Sequence, residues 1–374
     1  MQSKKINPII RWWMTPYLPI EDIFELPLLM DKSLKAKIYF YISHWLIHPI
    51  KRRLARWYLI FLKRFTKITV IAITGSAGKS TTTQILSSIL KLDGSTVSTK
   101  PSIDPVFNIP NTILQCSMNT KYLILEMSVE FIGEMDYYLW LATPDIGVIT
   151  NIYSTHIEYF KSREGVLKEK GKMLLALSKN STAILNSTND LLVKFSKKLS
   201  CEVLLSDKAD DPLDQNSNLA KAVAKKLQVS DDNIIKGLKQ FIKPKHRYQE
   251  ILHKSGAVIF DDSYNNNPEA FLATLKVFLK IAKKSKKIVV IGDMLQLGDL
   301  AEIEHKKIGV ELKKYNFEKV IGIGKLVKFI TNDVYDSYTE AIPEVKKYLT
   351  KNNYILVKGS RSIGLDKLVD AILK

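Results

Sequence analysis

The stretch Ile68-Thr-Val-Ile-Ala-Ile-Thr-Gly-Ser-Ala-Gly-Lys-Ser-Thr81 decides the fold. Its β-branched first half reads as a buried strand, and a helical pattern follows over Thr81–Leu92. A strand, a glycine turn, Gly-Lys-Ser and a helix start are the parts of a phosphate-binding loop, in which backbone N–H groups and the helix N-terminus face the anion. The loop runs through Thr74, Gly75, Ser76, Ala77 and Gly78; Lys79 would reach the β/γ-phosphates, Ser80 would offer its hydroxyl to Mg²⁺, and Thr81 opens the helix. The common G-x-x-x-x-G-K-[ST] form needs a glycine at position 73, where this chain has Ile73, so the loop is a shortened variant.

Outward from the loop, Tyr122–Glu126, Ile146–Thr150 and Thr182–Leu185 read as further buried strands, with helices such as Gly165–Ser178 between them. This alternation predicts a mostly parallel sheet covered on both faces. A second series, Ala257–Phe260, Lys287–Ile291, Lys319–Ile323 and Tyr354–Val357, predicts a Rossmann-like α/β domain. Ile242-Lys-Pro-Lys-His246 interrupts the periodicity and marks the joint; Ser206–Asn218 reads as a polar loop leading into a helix. The expected fold is therefore α/β, with a helical basic and aromatic segment over 1–67, a central domain over 68–243 and a C-terminal domain over 244–374.

The composition, 46% apolar and 25% charged over 374 residues, is that of a globular protein of two or three domains. Cys116 and Cys201 stand 85 positions apart, which excludes a disulfide framework or a cysteine zinc site and suits a reducing cytoplasm. Of the net charge of +18, half sits in residues 1–67, where 13 basic residues face 4 acidic ones. The same segment holds Trp12, Trp13, Trp45 and Trp57 and the apolar run Ile38–Ile50, followed by Lys51-Arg52-Arg53. That run is broken by His44, His48 and Pro49. It falls short of the about 20 residues that a spanning helix needs. No secretory signal is expected, since Glu21, Asp22 and Glu25 precede the run. Two readings stay open: peripheral contact with an anionic membrane at the inner face, or helices packed on the protein with their lysines and arginines solvated. No nucleic-acid-binding signature accompanies the charge.

The compressed loop resembles that of the Mur ligase family, the ATP-dependent amide ligases of peptidoglycan precursor synthesis. Further matches follow in the family's order: Leu125-Glu126-Met-Ser128, Asn151 with His156, Lys168-Glu-Lys-Gly-Lys-Met173, Asp261-Asp-Ser-Tyr-Asn-Asn-Asn-Pro268, Val290–Gly298 with His305, and Leu356–Ser362. They span residues 68–374, and the C-terminal stretches are most similar to the member that adds D-alanyl-D-alanine to the peptide stem. The resemblance implies that a substrate carboxylate takes the γ-phosphoryl group of ATP and that an amine then attacks the acyl phosphate. It implies Ser80 and Glu126 on one Mg²⁺ and His156 with Lys170 on a second, Lys170 being carbamylated by CO₂. Spacing alone does not choose among Lys168, Lys170 and Lys172; the family pattern selects Lys170. Taken singly, His156 reads as a surface or capping histidine and Lys170 as a solvated helix lysine.

The resemblance further implies Asp262 on the ATP ribose, Asn265 lining the nucleotide or acceptor site, and Arg247 on ATP phosphate. Lys358 and Arg361 would attract the carboxylate of the incoming dipeptide. Thr112 closes Asp104–Thr112, which loosely matches the family's acceptor-contacting region. Too few residues precede the loop for the family's UDP-sugar-binding domain, so that domain is expected to be lacking. The resemblance thus implies a cytoplasmic, monomeric ligase that needs hinge closure near residue 243. Its alternatives are a ligase or amidating enzyme acting on a lipid-linked or non-murein acceptor, and a non-catalytic nucleotide-binding regulator.

Overall fold

A computed structural model describes residues 33–374 apart from 102 and 284, so Trp12 and Trp13 lie outside the described residues. The chain divides into two compact units. The first comprises the described residues through Ile152, then Leu167–Ala209 and Gln215–Phe241; the second comprises Tyr153–Val166, Asp210–Asp214 and Ile242–Lys374.

The first unit opens with a long helix made of α1 (Leu34–Ile42), a π-turn (Ser43–Ile47) and α2 (His48–Phe65). The helix runs on through His44, His48 and Pro49, with Ile42, Ile47 and His48 all at right-handed helical backbone angles. Pro49 lacks an N–H, but the π-turn has already shifted the ladder at that point, with the His48 N–H donating to the Ser43 carbonyl. Pro49, Arg52, Ala55, Leu59 and Leu62 make the buried face of α2. This face is anchored by the Tyr58 hydroxyl, which donates to the Cys116 carbonyl at 2.8 Å, and by a 2.7 Å ion pair between Lys63 and Asp145.

The sheet of this unit contains β1 (Thr69–Thr74), β2 (Thr96–Ser98), β3 (Tyr122–Glu126), β4 (Ile146–Ile149), β5 (Thr182–Leu185) and β6 (Glu202–Leu205). All its pairings are parallel, in the order β2-β3-β1-β4-β5-β6. Residues 70–74 of β1 are fully buried between β3 and β4, as a continuous β-branched run requires. From β1 the chain passes through α3 (Lys79–Leu90) to the edge, returns to β3 and then crosses β1 to β4. The strand order therefore reverses around β1, and the carboxyl ends of β3, β1 and β4 lie side by side there, the usual ligand position in such sheets. Register puts Ile73 level with Glu126 and Thr74 level with Ile149. Flanking helices include α4 (Pro105–Ile113), α5 (Glu134–Leu141), α6 (Arg163–Leu175, entering the unit at Leu167) and α7 (Pro212–Lys226).

The second unit is built on β7 (Gln249–Leu252), β8 (Val258–Asp261), β9 (Lys286–Gly292), β10 (Lys319–Ile323), β11 (Val334–Tyr335) and β12 (Asn353–Lys358). Their order is β11-β10-β9-β12-β8-β7, with only β7 antiparallel to its neighbour. Alternation along β9 sends Val289 and Ile291 to one core with Phe271 and Phe278, and Ile288 and Val290 to the other with Leu365 and Leu368. Both faces are thus covered, which is the α/β architecture expected from the sequence.

Candidate nucleotide and metal site

In the first unit, β1 ends at Thr74 and α3 begins at Lys79. Gly75 and Gly78 adopt φ of +146° and +82°. A Cβ at Gly75 would stand 2.0 Å from the Thr150 hydroxyl oxygen, and one at Gly78 would stand 2.3 Å from Oδ1 of Asn216 on α7. Both glycines are therefore demanded by conformation and by space. The Thr74 hydroxyl donates to the Met127 carbonyl at 2.5 Å, the Ser76 N–H donates to the Asn151 carbonyl at 2.8 Å, and the Thr150 hydroxyl donates to the Ala77 carbonyl. Asn151 is fixed in turn by Asn186, whose Nδ2 donates to its Oδ1 at 2.8 Å. Thr150, Asn186 and Asn216 support the loop without belonging to its motif, and adjacency in sequence gave no sign of them.

The loop's functional side chains point the same way. Lys79 Nζ folds back to the Gly75 carbonyl at 2.9 Å, and the buried Ser80 hydroxyl donates to Glu126 Oε1 at 2.9 Å. A hydroxyl and a carboxylate joined at the end of a phosphate loop are the hard oxygen donors that Mg²⁺ takes, usually together with phosphate oxygens and water. Among the described residues no group of three or more His, Cys, Asp or Glu is poised to hold a metal. The Ser80–Glu126 pair fits an ion that takes further ligands from a nucleotide and water.

Lys170, on α6, is only 1% exposed, and its Nζ lies 3.4 Å from the Val129 carbonyl. Burial first, and then the positive charge of Lys79, bring its ammonium down to about 7; Glu134, Glu130 and Glu169 oppose the fall. Lys168 is exposed, and Lys172 is ion-paired to Asp136 at 2.6 Å and to Glu169 at 2.8 Å. Of the three lysines, only Lys170 is both buried and in the field of Lys79. Glu134 is also pushed up to about 7 by burial, although it accepts the Phe131 N–H at 3.0 Å. His156 lies in the segment that groups with the second unit, at φ +53°, with its ring edge-on to Phe160. Thr112 is buried and donates its hydroxyl to the Asn108 carbonyl at 2.7 Å.

In the second unit the turn after β8 gathers the remaining candidates. Asp262 accepts from Lys358 Nζ at 2.5 Å and from the Thr274 hydroxyl at 2.9 Å, and its other oxygen accepts the Tyr248 N–H at 3.3 Å. Lys358, only 3% exposed, also donates to the Asn265 carbonyl at 3.0 Å. Lys358 thus holds Asp262 and the turn, whereas Arg361 is exposed. Arg247 and Arg361 share one ring: their guanidinium carbons lie 3.8 Å and 5.1 Å from the Tyr264 centroid, and Arg361 Nη1 donates to the Tyr264 hydroxyl at 2.9 Å. Tyr264 had no assigned role in the sequence reading. Asn265 is exposed, while neither amide atom of the buried Asn266 has a hydrogen-bond partner among the described residues. Within the Val290–Gly298 stretch, Asp293 accepts the N–H groups of Lys325, Leu326 and Val327, and His305 accepts the Met294 N–H.

Residues 73–243 match the Mur ligase middle domain, and residues 246–361 match the Mur ligase, glutamate ligase domain. The UDP-N-acetylmuramoyl-tripeptide–D-alanyl-D-alanine ligase of Buchnera aphidicola subsp. Baizongia pistaciae is 30% identical over 366 residues, covering 86% of this chain and 78% of that protein. Among solved structures, MurF from Acinetobacter baumannii superposes with a TM-score of 0.78 at 23% identity, covering 87% of this chain and 80% of the other. MurF ligase from Thermotoga maritima in complex with ADP gives a TM-score of 0.77 at 22% identity, covering 87% and 83%.

Proposed function

The chain belongs to the Mur ligase family, and from that premise we propose that it is an ATP-dependent peptide ligase of cytoplasmic cell-wall precursor synthesis, joining D-alanyl-D-alanine to a UDP-linked muramoyl tripeptide. A carboxylate oxygen of the tripeptide attacks the γ-phosphorus of ATP, and the bond to ADP breaks. The dipeptide amine then attacks the acyl carbon and gives up a proton, and inorganic phosphate leaves. Both partners of the first step are anions, so the reaction needs fixed positive charge more than a protein nucleophile. Lys79 supplies one such charge from the loop. Within the first unit, Ser80, Glu126 and a carbamylated Lys170 are the residues proposed to hold Mg²⁺, which when bound neutralises the phosphates.

The observation that carries this reading is Lys170, a buried lysine kept near neutrality beside a second lysine. A protein that only bound nucleotide would gain nothing from so costly a placement. The lowered pKa leaves a large share of free amine at neutral pH, the form that adds to CO₂. The deciding assay supplies ATP, Mg²⁺, D-alanyl-D-alanine and either the UDP-linked or a lipid-linked acceptor, and follows ADP release and the ligated peptide by mass. ADP and product are expected with the UDP-linked acceptor. Product from the lipid-linked acceptor alone would move the substrate assignment, and ADP release with neither would overturn the ligase.

Arg361 is proposed to meet the dipeptide carboxylate, with Arg247 directed to phosphate and Tyr264 as the platform ordering both guanidinium planes. Arg361→Ala is expected to raise KM for the dipeptide about tenfold with KM for ATP unchanged, the loss of one exposed charge-assisted contact. Tyr264→Leu is expected to raise both KM values. If Arg361→Ala altered only the ATP term, the assignment of Arg361 to the dipeptide would be wrong.

A further inference from the structure

Helix α2 buries one side, and the opposite side of the helix 34–65 carries an exposed apolar row. At about 100° per residue, the buried set of Pro49, Arg52, Ala55, Leu59 and Leu62 and the exposed set of Leu46, Ile50, Leu54, Trp57, Phe61 and Phe65 fall on roughly opposite faces. The outer set is bare: Leu54 is 56% exposed, Trp57 67% and Phe65 64%. Leu34, Ile38 and Ile42, also exposed, extend the stripe along α1. Over 32 residues of continuous helix the stripe runs about 48 Å at 1.5 Å per residue. Isolated exposed apolar residues need no explanation, but an aligned row of this length does.

Charge decides what covers it. Residues 34–65 contain eight Lys and Arg and no Asp or Glu. On the helical wheel Lys51 borders one side of the stripe, and Arg53 and Arg64 border the other. A second copy of the same face would bring these cations together without counter-charge, whereas anionic headgroups would supply it. Long basic side chains at the edges of an apolar strip place their heads in the headgroup layer while the strip enters the acyl boundary, and Trp57 suits that depth. The helix cannot cross the bilayer, since no described helix is long and apolar enough to do so. Its inner face is already anchored to the first unit through Tyr58 and Lys63.

We propose that the outer face of helix 34–65 is an in-plane docking surface for an anionic membrane, holding the protein at the bilayer through its apolar stripe and basic edges. This surface is independent of the ligase chemistry, so either reading can fail without the other.

The test is co-sedimentation of the full chain with phosphatidylcholine vesicles, with and without about a third phosphatidylglycerol. Binding to the anionic vesicles is expected to exceed that to the neutral ones at least about tenfold and to fall with added salt. The variant Leu54→Ser/Trp57→Ser/Phe61→Ser, checked for an unchanged melting profile, is expected to lose binding by about tenfold or more. Lys51→Glu/Arg64→Glu is expected to lose the preference for anionic lipid while keeping the fold. The proposal is overturned if the parent chain ignores both vesicle types, as it would if residues 1–32 or a second copy covered the stripe. It is equally overturned if the triple variant binds as the parent does, which would assign the affinity to another segment.

Discussion

Replacing Lys170 by methionine is expected to slow ligase turnover by roughly 10²–10³-fold or more while leaving ATP binding intact, the signature of losing charge stabilisation at the reacting phosphate rather than affinity. Methionine fits the buried site and removes only the amine. The chemistry follows from the pKa of about 7: a neutral amine adds to CO₂, forming an N–C bond and releasing one proton, and the product is an anionic oxygen donor where an ammonium stood. ¹³C-bicarbonate should therefore give a carbamate resonance in the parent chain and none in Lys170→Met. Below pH 7 the ammonium predominates, so the resonance and the activity should fall together with acidification. Turnover of the variant at the parent rate in saturating bicarbonate would end the assignment.

The same lysine makes a prediction that does not depend on activity. Its folded pKa lies below the ordinary 10.5, so between about 7 and 10.5 the unfolded chain binds a proton that the native chain does not. Stability contributed by this residue must then rise with pH through that window, with the buried ammonium a constant burden below it. The parent chain should gain stability relative to Lys170→Met between pH 7 and 10, and thermal melts of the two would show whether the difference narrows or stays flat.

Much of this site was legible because it is local in sequence. The phosphate loop and the strand before it, the Glu126 that ends β3 and the helix carrying Lys170 all announce themselves by residue type and order. The edge strands β2, β6, β7 and β11 did not, because two to four partly exposed residues offer at most three apolar residues in a row. The π-turn before Pro49 was hidden as well, since an i→i+5 contact is invisible to helical periodicity. Pairings far apart in sequence were equally hidden: Lys358 meets Asp262 across 96 positions, and Arg361 meets Tyr264 across 97. Residue type marked Lys358 and Asp262 as charged and available, whereas folding commits each to the other.

That commitment sets the largest stability effect in the second unit. Lys358→Met is expected to cost about 3 kcal/mol, because it leaves the carboxylate of Asp262, its side chain only 16% exposed, with just the Thr274 hydroxyl and the Tyr248 N–H to answer it. Removing both charges together should cost much less than the single change, since replacing a buried pair by apolar groups avoids the uncompensated charge. Urea unfolding of the parent, of Lys358→Met and of Lys358→Met/Asp262→Leu would show a midpoint that drops steeply and then recovers. The double variant also separates structure from recognition. If Asp262 serves the ATP ribose as well as the turn, the recovered protein should still bind ATP poorly; normal ATP affinity in that variant would make Asp262 a structural residue alone. Failure of the double variant to recover would instead mean that the pair is not the interaction holding the turn, and that the Lys358 contact to the Asn265 carbonyl carries the stability by itself.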